Sequence, residues 1–167
     1  LYPVADTWVN DNLPTINYGT QSLLTVGSNE CPGQEFPDVG RALLRFNLAA
    51  IPSGRVIESA SLRLYVRHMQ PVGQTMNISM HRVLSSWTET GVNWSNQPGH
   101  SAAYWTRALG SWTGAWSNWD ATTLVRHWYA GTFNNYGFKL MSTEEGLCRQ
   151  RRFDSRENVF DAELEIT

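Results

Sequence analysis

The amino-acid sequence predicts an all-β fold, an antiparallel β-sandwich of jelly-roll type with one short helix and a short helical turn, in a single domain over residues 1–167. Two observations carry this expectation. Apolar and polar residues alternate in short runs, as half-buried strands require. The runs are separated by stretches rich in Gly, Pro, Asn and Ser, which favour turns. Many short strands divided by turns must bury one face each, and stacking two sheets achieves that. A chain of 167 residues is long enough to fill one such core.

Val4 to Val9 reads as the first strand, followed by Leu23 to Val26 and Ala42 to Phe46. Leu48 to Ile51 reads as a short helical turn, ended by Pro52, Ser53 and Gly54. The clearest strands come next. Leu62, Leu64 and Val66 alternate with Arg63, Tyr65 and Arg67, and Met76, Ile78 and Met80 alternate with Asn77, Ser79 and His81. Asp120 to Gly131 departs from this period: Asp120 or Thr122 is placed to cap a helix, Leu124, Val125 and Trp128 share one face, and Gly131 stops it. Gly137 to Met141, Arg151 to Ser155 and Ala162 to Ile166 complete the set of strands. The stretch Tyr104 to Trp119, rich in Gly, Ser and Ala, reads as a loop crowded with aromatic rings.

A net charge of −2 and a pI near 6.1 argue against nucleic acid or an anionic membrane as partner. No apolar run is long enough for membrane insertion. Lys139 is the only lysine, so basic contacts are expected to be the planar, bidentate kind that arginine makes with carboxylates. The chain starts at Leu1 without an initiator Met, and removal of a leader is expected, with the protein secreted to the extracellular space or cell surface. In that compartment the polar-flanked Cys31 and Cys148 are expected to form a disulfide; two unpaired thiols are the alternative.

A signature spread along the chain adds to this reading: Val4 to Asn10 (VADTWVN), Asn17 to Gly19 (NYG), Arg41 to Leu48 (RALLRFNL), Ser86 to Trp94 (SWTETGVNW), Asn96 to Pro98 (NQP), Trp119 to Val125 (WDATTLV), Asn135 to Phe138 (NYGF) and Phe153 to Glu157 (FDSRE). Together these motifs resemble the DNRLRE-domain family. The resemblance implies a secreted β-sandwich module, and some such modules are grouped with carbohydrate-binding modules that recognise alginate. Two departures stand out. Residues 29–39 look like an insertion carrying Cys31, and the last strand lacks the family's paired prolines and closing aromatic.

The charged residues in these motifs are expected to form structural ion pairs, because Arg41, Arg45, Arg156 and Glu157 lie in or beside apolar strands where burial demands partners such as Asp6 or Asp120. No cofactor is required, but a structural calcium ion held by Asp6, Asp11 or Asp161 is a candidate. Catalysis is not expected. No pair of carboxylates is selected for glycoside hydrolysis, the four histidines are scattered, and zinc, phosphate-loop and nucleophile-elbow motifs are missing.

Aromatic residues offer the better functional lead. Tyr104, Trp105, Trp112 and Trp116, with Arg107, are candidates for stacking on sugars or anchoring an interface, whereas Trp94, Trp119 and Trp128 are assigned to the core. Two non-catalytic functions follow. The favoured one is a self-assembling extracellular filament or surface subunit, a homopolymer of copies of this chain joined through terminal strands, with Leu1, Tyr2, Pro3 and Val4 as the assembly arm. The alternative is a module that binds an extracellular acidic polysaccharide such as alginate through the aromatic stretch and Arg107.

Overall fold

The computed structural model describes residues 1–33, 35 and 38–167, so three positions of the inserted 29–39 loop lie outside the described residues. Its elements are β1 (Pro3–Asn10), β2 (Leu23–Ser28), β3 (Val39–Phe46), a 3-10 turn (Leu48–Ala50), β4 (Ala60–Gln70), β5 (Met76–Val83), β6 (His100–Leu109), β7 (Ala115–Asp120), α1 (Thr122–Tyr129), β8 (Phe138–Ser142), β9 (Arg149–Asp154) and β10 (Glu163–Ile166). Every pairing between these strands is antiparallel.

The strands follow the path β10-β4-β9-β2-β3-β8-β5-β6, with β1 added on β3 and β7 on β4. This path curls into two layers. The bend comes where β2 meets β3, joined by the single pair Gly27 and Gly40. Both residues must be glycine for steric reasons. Gly27 has a φ of 101°, and a Cβ there would lie 2.2 Å from the Arg149 carbonyl oxygen; a Cβ on Gly40 would lie 2.9 Å from that of Thr25.

Alternation in β4 sends Leu62, Leu64 and Val66 inward against Trp119, Leu24, Val26, Phe153 and Leu164 of the same layer. Leu44, Phe46, Met76, Ile78, Met80, Phe138 and Leu140 close the core from the opposite layer. Burying each large side chain stabilises the fold by about 1.5–3 kcal/mol before entropy is counted. Trp119 is fully buried, and its indole N–H donates to the Ile78 carbonyl across the core at 3.1 Å. Trp128 is buried as well, from the apolar face of α1. Ala5, Val9, Leu43, Val83, Trp87 and Val92 form a second, smaller cluster. Trp94 is only half-buried against it, beneath the Arg41 guanidinium, which lies 4.4 Å from the ring centre.

The aromatic stretch is not a loop. It forms β6 and β7 with a short connection at residues 110–114. Edge position explains why alternation was weak there: β6 pairs only with β5, and of its ten residues only Leu109 is buried. Helix α1 starts after Ala121, whose side chain offers no cap; Asp120 Oδ1 instead accepts from the Thr122 N–H at 2.9 Å. Cys31 and Cys148 are disulfide-bonded across a sequence separation of 117, tying the inserted loop to the start of β9. Among the described residues no helix is long and apolar enough to cross a membrane.

The first four residues dock on their own chain. Pro3 is already within β1, the Leu1 ammonium donates to the Leu164 carbonyl at 2.8 Å, and Leu164 N–H returns a bond to the Leu1 carbonyl at 2.8 Å. Tyr2 and Val4 point to solvent. The segment expected to act as an assembly arm is thus an integral edge of this sandwich.

Candidate functional site

Residues two apart in a strand project to one side, which sets Trp105 and Arg107 together on β6. Their partners on β5 are Met80 and Ile78. Just before Trp105 the register shifts, leaving Tyr104 as an extra residue, and such a bulge re-aims the side chains beside it. Trp105 and Arg107 reach a cleft of about 320 Å³ also lined by Ser61 of β4, Asn118 and Asp120 of β7, and Thr122 of α1. Trp105 is 46% exposed, the only tryptophan so open.

The electrostatics of the cleft are uneven. The Arg107 Nε is buried without a hydrogen-bond partner, and its guanidinium makes no ion pair among the described residues. Asp120 is exposed, with one oxygen engaged by Thr122 and the other without a partner among the described residues. An open ring, an unpaired guanidinium and free amide and carboxylate groups can together stack on a pyranose face, grip a carboxylate with two hydrogen bonds and accept from hydroxyls.

The remaining aromatic candidates are placed elsewhere. Tyr104 and Trp112 are half-buried against the core. Trp116 lies on the outer face of β7, edge-on to Tyr65 at 5.7 Å and Phe160 at 6.2 Å, with the Arg63 guanidinium 4.9 Å from its ring centre. Tyr65 and Phe160 stack at 4.2 Å, and Arg67 covers both rings while pairing with the buried Asp154 through two hydrogen bonds. This platform adjoins the cleft along β7. The outward position of Arg63, Tyr65 and Arg67 was legible from the alternation in β4; Phe160, in an irregular segment, gave no signal.

Ion pairing differs in detail from expectation. Arg41 makes a bidentate pair with Glu145 at 2.8 and 2.7 Å. Arg45 has no acidic partner among the described residues; it lies over Trp87 and donates weakly to that residue's carbonyl. Among the described residues Asp120 pairs with no arginine, because it sits exposed at the end of β7. Arg156 contacts Glu89 and Glu157 at 3.4 Å each, and its backbone N–H donates to Asp6 Oδ2 at 2.9 Å.

Around Arg156, carboxylate oxygens of Asp6, Glu89 and Glu157 all lie within 4.8 Å of one another. Burial, with the charges of Glu157 and Glu89, pushes the Asp6 carboxyl up to about 7 against the Arg156 backbone hydrogen bond and charge, which favour the carboxylate. Asp11, by contrast, spends an oxygen on the Val39 N–H at 2.6 Å, and neither it nor Asp161 joins this group.

Bone morphogenetic protein 2 of Tetraodon nigroviridis is 28% identical over 124 residues, 65% of this chain and 29% of that protein. The chain therefore spans less than a third of the length of this curated relative. The family match is far more extensive, running over residues 1–167 in agreement with a sandwich whose motifs converge from every part of the sequence, and by it the chain belongs to carbohydrate-binding module family 96.

Proposed function

We propose that this domain binds an acidic polysaccharide of the uronate class, such as alginate, in the cleft between β6 and β7. Membership of a carbohydrate-binding family supports a glycan as the ligand class. The observation that carries the choice of glycan and site is the pairing of Trp105, the most open tryptophan, with the unpaired Arg107 guanidinium beside it. Trp105 stacks on the apolar face of a sugar ring, Arg107 takes the carboxylate, and Asn118 and Asp120 meet hydroxyls. A long polymer continues onto Trp116, whose outward position extends the surface along β7.

This replaces the filament subunit as the favoured reading. Assembly through terminal strands has no comparable support, and the proposed arm is already bonded to Leu164 of its own chain. The Cys31–Cys148 bond suits an oxidising compartment, and we place the domain outside the cell.

Electrophoresis through gels containing alginate, another uronate polymer or a neutral glucan tests the proposal. Retardation is expected in the uronate gels, and Trp105→Ala or Arg107→Gln should abolish most of it. Arg55→Ala, at an exposed position away from the cleft, should leave it unchanged. Equal mobility of the native domain in every gel would sink the idea.

A further inference from the structure

We infer that Asp6, Glu89 and Glu157 form a binding site for a divalent cation, calcium above all, that is separate from the glycan cleft. Three chain segments meet there. Asp6 comes from the middle of β1, Glu89 from the turn between β5 and β6, and Glu157 from the segment after β9. The sequence motifs around them, together with Asn17 to Gly19, are the distributed signature whose charged members would otherwise have only structural pairing to explain them.

Position is tightly set before any ion arrives. Asn17 Nδ2 donates to the carbonyls of Glu89 at 2.7 Å and Val92 at 2.6 Å, clamping the turn that carries Glu89. Gly19 packs so closely that a Cβ would fall 2.3 Å from the Glu89 carbonyl oxygen. Glu89 Oε1 also accepts from the Asp6 N–H at 2.8 Å, and Ser155 Oγ donates to Glu157 Oε2 at 3.0 Å. These bonds fix the carboxylates beside one another at an electrostatic cost that something must offset.

Arg156 offsets it only in part. Three carboxyl groups stand against one guanidinium, so ionising Asp6 as well leaves more negative charge than Arg156 can match, and the side-chain contacts of Arg156 with Glu89 and Glu157 are long, at 3.4 Å each. The independent sign of a missing partner is Asp6. It is 1% exposed, one of its oxygens takes the Arg156 backbone N–H, and the other, Oδ1, is buried with no hydrogen-bond partner among the described residues. A buried carboxylate oxygen left so is costly, and a cation satisfies it.

The donor set selects the ion. All the donors are oxygen, which favours hard cations over zinc or copper. Calcium bonds to oxygen at about 2.3–2.6 Å, so ligands across its sphere sit about 5 Å apart. The three carboxylates lie within 4.8 Å of one another, close enough to share one such ion. Glu89 and Glu157 side chains are 20% and 30% exposed, which admits the ion and the waters that complete six to eight ligands. Magnesium, held at about 2.0–2.1 Å in strict octahedral geometry and slow to give up its waters, suits carboxylates already fixed by other hydrogen bonds less well.

The test uses the whole domain, stripped with a chelator and titrated calorimetrically with calcium chloride and, separately, magnesium chloride. One calcium per chain is expected, bound more tightly than magnesium, and calcium at a hundredfold excess over its Kd should raise Tm by roughly 5–10 °C over the chelated protein. Asp6→Asn and Glu157→Gln should each lose that Tm response, while Glu144→Gln, which touches only the Arg149 pair, should keep it. Should Asp6→Asn fail to fold, Glu157→Gln and the native titration still decide. Calcium that produces no heat and no change in native Tm overturns the inference, as does a response that survives in Glu157→Gln.

Discussion

Lys139 shows how a single residue reports on this fold. It is 1% exposed, and its ammonium donates to the Pro98 carbonyl at 2.9 Å with no carboxylate paired to it among the described residues. Burial, aided by the nearby Arg41 charge and opposed by Glu145, lowers its pKa from 10.5 to about 8. Below that value the folded chain carries a buried charge and the penalty is complete. Between about 8 and 10.5 the folded state has released the proton that the unfolded state keeps, so stability rises with pH, and above 10.5 the penalty is gone. Relative to Lys139→Met, the native protein should therefore gain up to about 3 kcal/mol across this window in denaturant unfolding. A flat difference between the two would contradict the burial argument. At this same scale Trp105 and Trp112 diverge. Both have small, polar neighbours in sequence, yet only Trp105 faces a cleft, and nothing local to either residue distinguishes them.

Elements were legible where one face alone is apolar. The alternations in β4 and β5 and the apolar stripe of α1 announce themselves, because each packs one side on the core. β6 and β7 did not. Most of β6 faces solvent, its register slips beside Trp105, and alanine and serine carry no period. Those features make the cleft, so the candidate site lies in the segment hardest to read as strand. The bend between layers was equally silent, since a glycine in a strand does not say which backbone it must clear. Gly27→Ala should cost at least about 2 kcal/mol, from strain at positive φ and collision with the Arg149 carbonyl, where an alanine in a relaxed strand would be tolerated. Thermal unfolding measures it; an unchanged Tm would mean that the corner is softer than its geometry indicates.

For the whole molecule, the sandwich holds two kinds of surface. One gathers motif residues from β1, the turn carrying Glu89 and the segment after β9 into a carboxylate cluster. The other is the edge where β6 and β7 present Trp105 and Arg107. The fold class and the disulfide were readable from patterning and composition, because burial and cysteine pairing leave regular traces. The meeting of Asp6 with Glu89, 83 positions apart, leaves none without the tertiary path, and neither does the pairing state of Arg107. Sugar binding at the β6–β7 cleft is tested most directly by calorimetric titration of a uronate oligosaccharide into the native domain, Trp105→Ala and Arg107→Gln. Saturable binding is expected in the native domain, weakened at least about tenfold, or 1.4 kcal/mol, by either substitution. Unaltered affinity in both variants would place the glycan elsewhere and contradict the assignment.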